Sequence, residues 1–320
     1  MIDAIATESH FADHIEPIWL ALPEEVRGTF YVRTKRDVPN TVVGPAPASR
    51  RPTLVASIGD LKRGRGRRNA MMEHGCGQSF GGDPRTAGRS SYAGGSDRDA
   101  DLFIHPGNHP AGRDRARYPK ARVEVVGCAK LDSLPRRDRD GSPTVAVSFH
   151  WNCTICAETE PAFAAFAKQL GALAKEYQVI GHGHPRIIRR LRAAYQRHGI
   201  ETVASFEEVC ARADVYVNDC SSTLYEFAST GRPVVVMNSR RYRRKVNHGL
   251  RFWEASTVGV NVEEGDDLTD AVRQALEDPA EQRAERERCV NLVYAYRTGA
   301  AQRAADVLMD WVGARVAAVA

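Results

Sequence analysis

Apolar residues in this chain come in short blocks, separated by stretches in which they recur at helical spacing, and that alternation predicts an α/β fold. Residues 2–6 and 29–32 read as strands joined by a helical run over 11–22, the opening of a Rossmann-like half. A Pro-rich connection over 39–52 leads to a short strand at 54–57, and further strands with their turns are expected at 101–107 and 123–127. Between them, residues 84–100 are polar and rich in Gly and Ser, which predicts a mobile loop. The charged segment 134–141 reads as a linker. A second α/β half then begins with a strand at 144–149 and a long helix over 161–176. It continues with a strand from Val179 and a basic helix over 187–198. Helices over 268–276 and 279–296 follow, and a last amphipathic one over 301–319. The expected domains are 1–138 and 139–300, with 301–320 packing back on the first.

Residues 215–238, VYVNDCSSTLYEFASTGRPVVVMN, spell strand, loop, helix, turn, strand. The loop is small and polar, and Thr223 stands three residues before Glu226, the spacing of a capping box. A helix therefore opens where the hydroxyls of Ser221, Ser222 and Thr223 and several backbone N–H groups gather at the end of a parallel strand. Such a place suits phosphate. The plainer reading is one more βαβ unit whose hydroxyls serve only as caps.

Two other stretches carry candidate chemistry. Glu73-His74-Gly75-Cys76-Gly77-Gln78 is a strand end running into glycines, which brings backbone close to a ligand beside one imidazole. Gly181-His182-Gly183-His184-Pro185 puts two histidines at i, i+2 on one strand face. That spacing could ligate a metal, but no third ligand lies nearby in sequence, which favours hydrogen bonding to phosphate.

Composition narrows the setting. With 320 residues and 42% hydrophobic content the chain can bury two cores. No apolar run reaches about 18 residues and the first residues mix charge with apolar groups, so a cytoplasmic protein without a transmembrane segment is expected. Seven cysteines, an odd and scattered set, argue against a disulfide framework. Cys153 and Cys156 form a single CxxC with no second pair and read as structural thiols. Of the +5 net charge, residues 1–142 hold 23 Lys and Arg against 18 Asp and Glu, and the remainder is balanced at 22 against 22. The surplus includes Arg63 and Arg65 in the cluster 62–68. A basic face there fits an anionic acceptor, a nucleic acid or a membrane surface equally well.

These stretches resemble GT-B glycosyltransferases, most closely the CDP-glycerol glycerophosphotransferase family. Asp219-Cys220-Ser221-Ser222 stands at that family's Asp-Tyr-Ser-Ser, and His74-Gly75 at its His-Gly. His184-Pro185 stands at its Lys-x-His-Pro, with His182 in the lysine's place. Gly127 to Asp132 matches a Gly-x-Pro-Arg-x-Asp turn only in part, since Ala129 and Lys130 replace the proline and arginine. The resemblance covers residues 54–276. It implies two Rossmann-like domains with parallel sheets facing a central cleft and the nucleotide donor on the C-terminal one. His74 would be the base that takes the acceptor proton. His182, His184, Ser221, Ser222 and Thr223 would hold the leaving diphosphate, and Glu226 the ribose. Gly75, Gly77, Gln78, Arg63 and Arg65 would meet the acceptor. The donor would be a UDP-sugar or CDP-glycerol, and the acceptor a hydroxyl, with anionic polymers and nucleic acids among the candidates. Neither metal nor cofactor is expected. Two other readings remain open. One is a basic nucleic-acid-binding protein on an α/β scaffold, although the cluster 62–68 has no interleaved aromatics. The other is a nucleotide-sugar epimerase of the same fold, which needs acid/base carboxylates in the cleft.

Overall fold

The computed structural model describes residues 1–62, 66–75, 100–135, 141–152, 161–240 and 255–313. The chain divides into two units. One holds the described parts of 1–76, 88–133 and 294–320, and the other those of 134–293.

The first unit is built on strands β1 (Ile2–Ala6), β2 (Arg27–Val32), β3 (Thr41–Val43), β4 (Thr53–Val55), β5 (Asn69–Met72), β6 (Leu102–His105) and β7 (Arg122–Val125), with helices α1 (Ser9–Ala21) and α2 (Asn108–Arg117). All pair parallel, in the order β3-β2-β1-β4-β5-β6-β7. Chain order reverses between β1 and β4, the kind of switch point at which open sheets take ligands. On one face, Phe11, Ile15, Ile18 and Trp19 of α1 pack with Leu54, Ala70 and Leu102 of the strands. Helix α10 (Ala300–Val312), far along the chain, completes this core through Ala304, Ala305 and Leu308. Its first turn is received by the segment after β7. Asp132 accepts the backbone N–H groups of Ala300 and Ala301 at 3.2 and 2.8 Å. Gly127, at φ +94°, leaves no room for a side chain, since an added Cβ would stand 3.0 Å from that of Ala300. The partly matching turn from Gly127 to Asp132 is thus a seat for α10.

The second unit contains β8 (Thr144–Phe149), α3 (Phe163–Phe166), α4 (Leu170–Glu176), β9 (Gln178–Gly183), α5 (Ile188–Gln196), β10 (Glu201–Thr202), α6 (Phe206–Arg212), β11 (Val215–Asn218), α7 (Thr223–Ala228), β12 (Val234–Met237), β13 (Val260–Val262), α8 (Leu268–Glu277) and α9 (Ala280–Val293). Its strands are also parallel, in the order β10-β9-β8-β11-β12-β13. Val145, Val147 and Phe149 of β8 and Val215 and Val217 of β11 face Leu170, Leu191, Tyr195 and Val272 of the helices. Alternate residues along the same strands face the other way, and there the polar groups collect.

The helix expected over 161–176 is not continuous. A tighter turn at residues 167–169 separates α3 from α4 and carries Gln169, whose amide accepts the N–H of Leu268 at 2.8 Å and donates to the Asp266 carbonyl at 2.9 Å. The break sets α4 against the start of α8. Among the described residues no helix is long and apolar enough to cross a membrane, and Cys128, Cys210, Cys220 and Cys289 are buried free thiols. Residues 84–99 of the expected loop, the Cys153/Cys156 pair and linker residues 136–140 lie outside the described residues.

Candidate functional site

In the second unit β9, β8 and β11 lie side by side, with Ser148 registered against His182 on one side and Asn218 on the other. Their polar face carries a connected set of hydrogen bonds. Asn218 donates its amide to the Tyr216 hydroxyl at 3.1 Å, and that hydroxyl lies 2.9 Å from Thr223 Oγ1. Thr223 Oγ1 donates to Ser221 Oγ at 2.9 Å. Thr223 has one hydroxyl proton, so it must accept from Tyr216. The phenol also bonds Ser148, which therefore donates to it and in turn accepts from His182 Nδ1 at 3.2 Å. Both ends of this chain can then act outward. The Ser221 proton is not consumed within the set, and an imidazolium at His182 would present Nε2–H. Burial pushes the Tyr216 phenol well above its ordinary range, so it stays neutral.

Asp219, the acidic residue of the motif, has a different task. Its carboxylate accepts the backbone N–H groups of His150 at 2.9 Å, Ala162 at 3.0 Å and Cys220 at 2.7 Å. It ties the end of β8 and the entry to α3 onto the loop after β11. Asn218 holds Ser221, three residues on, its side-chain carbonyl accepting from Ser221 N at 3.1 Å.

The capping box expected from Thr223 and Glu226 does not form. Thr223 is the first helical residue of α7, and Ser222 occupies the cap position without a side-chain cap bond. The helix begins one residue earlier than the box requires, and the Glu226 N–H goes to the Ser222 carbonyl at 3.3 Å while Thr223 bonds Tyr216 and Ser221. Glu226 sits buried in α7, 1% exposed, near enough to Tyr216 to bear on its ionisation.

The histidine pair has distinct neighbours. His182 is buried against Phe206, with ring centroids 6.0 Å apart. His184 is half-buried beside His150 and Trp151, at 5.0 and 5.8 Å, and Arg186 lies over the Trp151 ring. Gly181 and Gly183 alternate with them for a packing reason, because a Cβ there would meet the Tyr195 ring at 2.4 Å and Leu191 Cδ1 at 2.3 Å. Among the described residues no group of three side chains is placed to hold a metal ion.

In the first unit His74 follows β5 with Glu73 between. Its Nδ1 bonds the Ala56 carbonyl just past β4, and its ring meets Phe11 edge-on at 4.6 Å. A carbonyl only accepts, so Nδ1 carries the proton and the lone pair of the neutral ring lies on Nε2. His10 and His14 stand 6.0 and 6.5 Å away. Burial first, then Lys130, His74 and His10, push His14 well below the ordinary range, so it is neutral. Glu73 turns away from this cluster. It accepts from His105 Nδ1 at 2.9 Å, while His105 Nε2 lies 2.8 Å from Asp114, all three side chains being buried. Burial alone would lower the His105 pKa, but the bonds to Asp114 and Glu73 and their charges outweigh it and raise it to about 9.

Gly75 is buried beside His74, whereas Gly77, Gln78, Arg63 and Arg65 lie outside the described residues. Of the remaining basic cluster, Arg68 is engaged by α10, donating to the Trp311 carbonyl at 2.5 Å with its guanidinium over that ring. Sequence reasoning missed Tyr216, Asn218 and Ser148. Their one signal was polar groups at every second position of adjacent apolar strands.

Residues 156–309 match the family described as CDP-Glycerol:Poly(glycerophosphate) glycerophosphotransferase. A variant of the wall teichoic acid polymerase TagF superposes with a TM-score of 0.68 at 11% identity, covering 98% of this chain and 88% of that one. The chain has the GT-B fold. A UDP complex of MnaA from S. aureus gives 0.60 at 13% identity, covering 98% and 97% of the two chains. A protein described as a UDP-N-acetylglucosamine 2-epimerase from Listeria monocytogenes gives 0.59 at 13%, with the same coverage. No curated protein sequence matches the chain. The family match within this GT-B fold includes β9, the loop after β11 and α7. It supports a transferase.

Proposed function

We propose that this protein transfers a glycerophosphate group from a cytidine-diphosphate donor to an acceptor hydroxyl. The observation that carries the reading is the hydroxyl chain beneath α7, which holds Ser221 at a helix start inside the region matching the glycerophosphotransferase family. Ser221 meets the diphosphate oxygens at the start of α7, where the helix dipole favours negative charge, and His182 and His184 offer N–H donors as charge builds. His74 accepts the acceptor proton at Nε2, with Nδ1 anchored to Ala56. The acceptor oxygen forms a bond to the phosphorus that bears glycerol, the bond from that phosphorus to the bridging oxygen breaks, and cytidine monophosphate leaves with the electron pair. With a sugar donor the same machinery would release the nucleoside diphosphate.

A melting screen with CDP-glycerol, CDP, UDP and UDP-N-acetylglucosamine tests the donor side, since a ligand bound only by the native state raises Tm. The cytidine compounds are expected to give the larger rise, and no rise with any of them overturns the reading. His74→Ala should keep that rise and lose turnover by about 100- to 10,000-fold. Turnover at the wild-type rate would remove His74 from the chemistry.

A further inference from the structure

The charge count of the second unit balances, yet one of its elements is strongly one-sided. From residue 177 to residue 200 the chain has five arginines and no Asp or Glu. Four of them, Arg189, Arg190, Arg192 and Arg197, are exposed on or just after α5. At 100° per residue they occupy an arc of roughly 160°, and 1.5 Å per residue spreads them over about 12 Å. None has a carboxylate partner among the described residues. The two acidic residues that bracket the segment are already used, Glu176 by Arg273 at 3.1 Å and Glu201 by Arg212 at 2.5 Å.

This arrangement works against the helix that carries it. Arg189 and Arg190 lie in the first turn, where the helix dipole disfavours cations, and that turn has no acidic residue. Arg189 and Arg192 stand at i, i+3, a like-charge pair. A bound anion relieves both conflicts together.

We infer that the arginine face of α5 is a binding surface for a flexible phosphodiester polymer of the polyol phosphate type. Guanidinium forks match phosphate oxygens in pairs. The apolar side of α5, with Leu191, Ala194 and Tyr195, is buried in the core, and no large apolar residue of this helix is exposed to enter a lipid layer. No aromatic ring is exposed on the arc to stack on bases, which disfavours single-stranded nucleic acid. The track begins at Arg186, two residues past His184, so a chain lying along it runs away from the candidate donor site. The choice of a polyol phosphate rests on the proposed function; the anion-binding face does not.

Binding of a synthetic oligo(glycerol phosphate) to the full chain across a salt series provides the test. Wild-type affinity should fall with salt. In the variant Arg189→Gln, Arg190→Gln, Arg192→Gln, Arg197→Gln the log–log slope should shrink by about 0.7 per lost contact, or about 3 in all. The matching Arg→Lys variant should keep most of the slope, and CDP-induced stabilisation should be unchanged in both. Lost CDP stabilisation in the wild type would sink the donor reading and leave this surface standing. No oligomer binding by the wild type, or the same slope in the Gln variant, overturns the surface. So does tighter binding to single-stranded DNA of equal phosphate count, or arginine-dependent binding to phosphatidylglycerol vesicles.

Discussion

Counting protons around Tyr216 separates hydroxyls that look equivalent in the sequence. Ser221 keeps its proton for a ligand, Thr223 spends its own on Ser221, and Tyr216 orients both. Ser221→Ala should therefore abolish most of the CDP-induced rise in Tm. Tyr216→Phe, which removes one oxygen and keeps the ring, should weaken that rise and lower intrinsic stability by about 1–3 kcal/mol, because Asn218 loses a buried partner. A phenylalanine variant with full stability and full response would show the network to be idle. The hydroxyls themselves were legible, since a small polar loop between a strand and a helix has few other uses. Tyr216 was not, because Val215-Tyr216-Val217 reads as a plain apolar strand. Only the register of β11 on β8 brings the phenol to Ser148. The capping box failed because α7 is capped at Ser222, one residue before Thr223, so the Glu226 N–H meets the Ser222 carbonyl.

At the level of elements, the strands were readable because each apolar block has turn residues at both ends, while helix continuity over 161–176 was not, since Gln169 answers to α8, nearly 100 residues away. The glycines of β9 make room for α5. Gly181→Ala should cost about 1–3 kcal/mol by forcing the Tyr195 ring aside, measurable by urea unfolding. The linkage of β5, β6 and α2 through Glu73, His105 and Asp114 makes a second prediction. A histidine with pKa raised to about 9 stabilises the fold fully below its unfolded value near 6.5, and that contribution is lost as pH rises towards 9. Stability of the first unit should fall across that window by a few kcal/mol, and in His105→Gln the decline should be largely absent. A flat wild-type profile from pH 6.5 to 9 would show that His105 is not charged in the fold.

For the whole molecule, the decisive feature is that the first unit closes its core with α10, which follows the entire second unit in the chain. Leu308→Ala should cost about 2–5 kcal/mol of the first unit's stability, while CDP affinity at 25 °C stays as in the wild type. A change in that affinity would mean the two units are energetically coupled. The same arrangement sets a schedule at the ribosome. Domains usually fold in order of synthesis, but here the unit whose translation starts first must wait for its last helix. At about 5–20 residues per second the 160 residues from 134 to 293 delay it by roughly 8–32 s. During that interval the α1 face that later receives Leu308 is uncovered, so a nascent chain stalled within the second unit should be a better chaperone client than one released after α10.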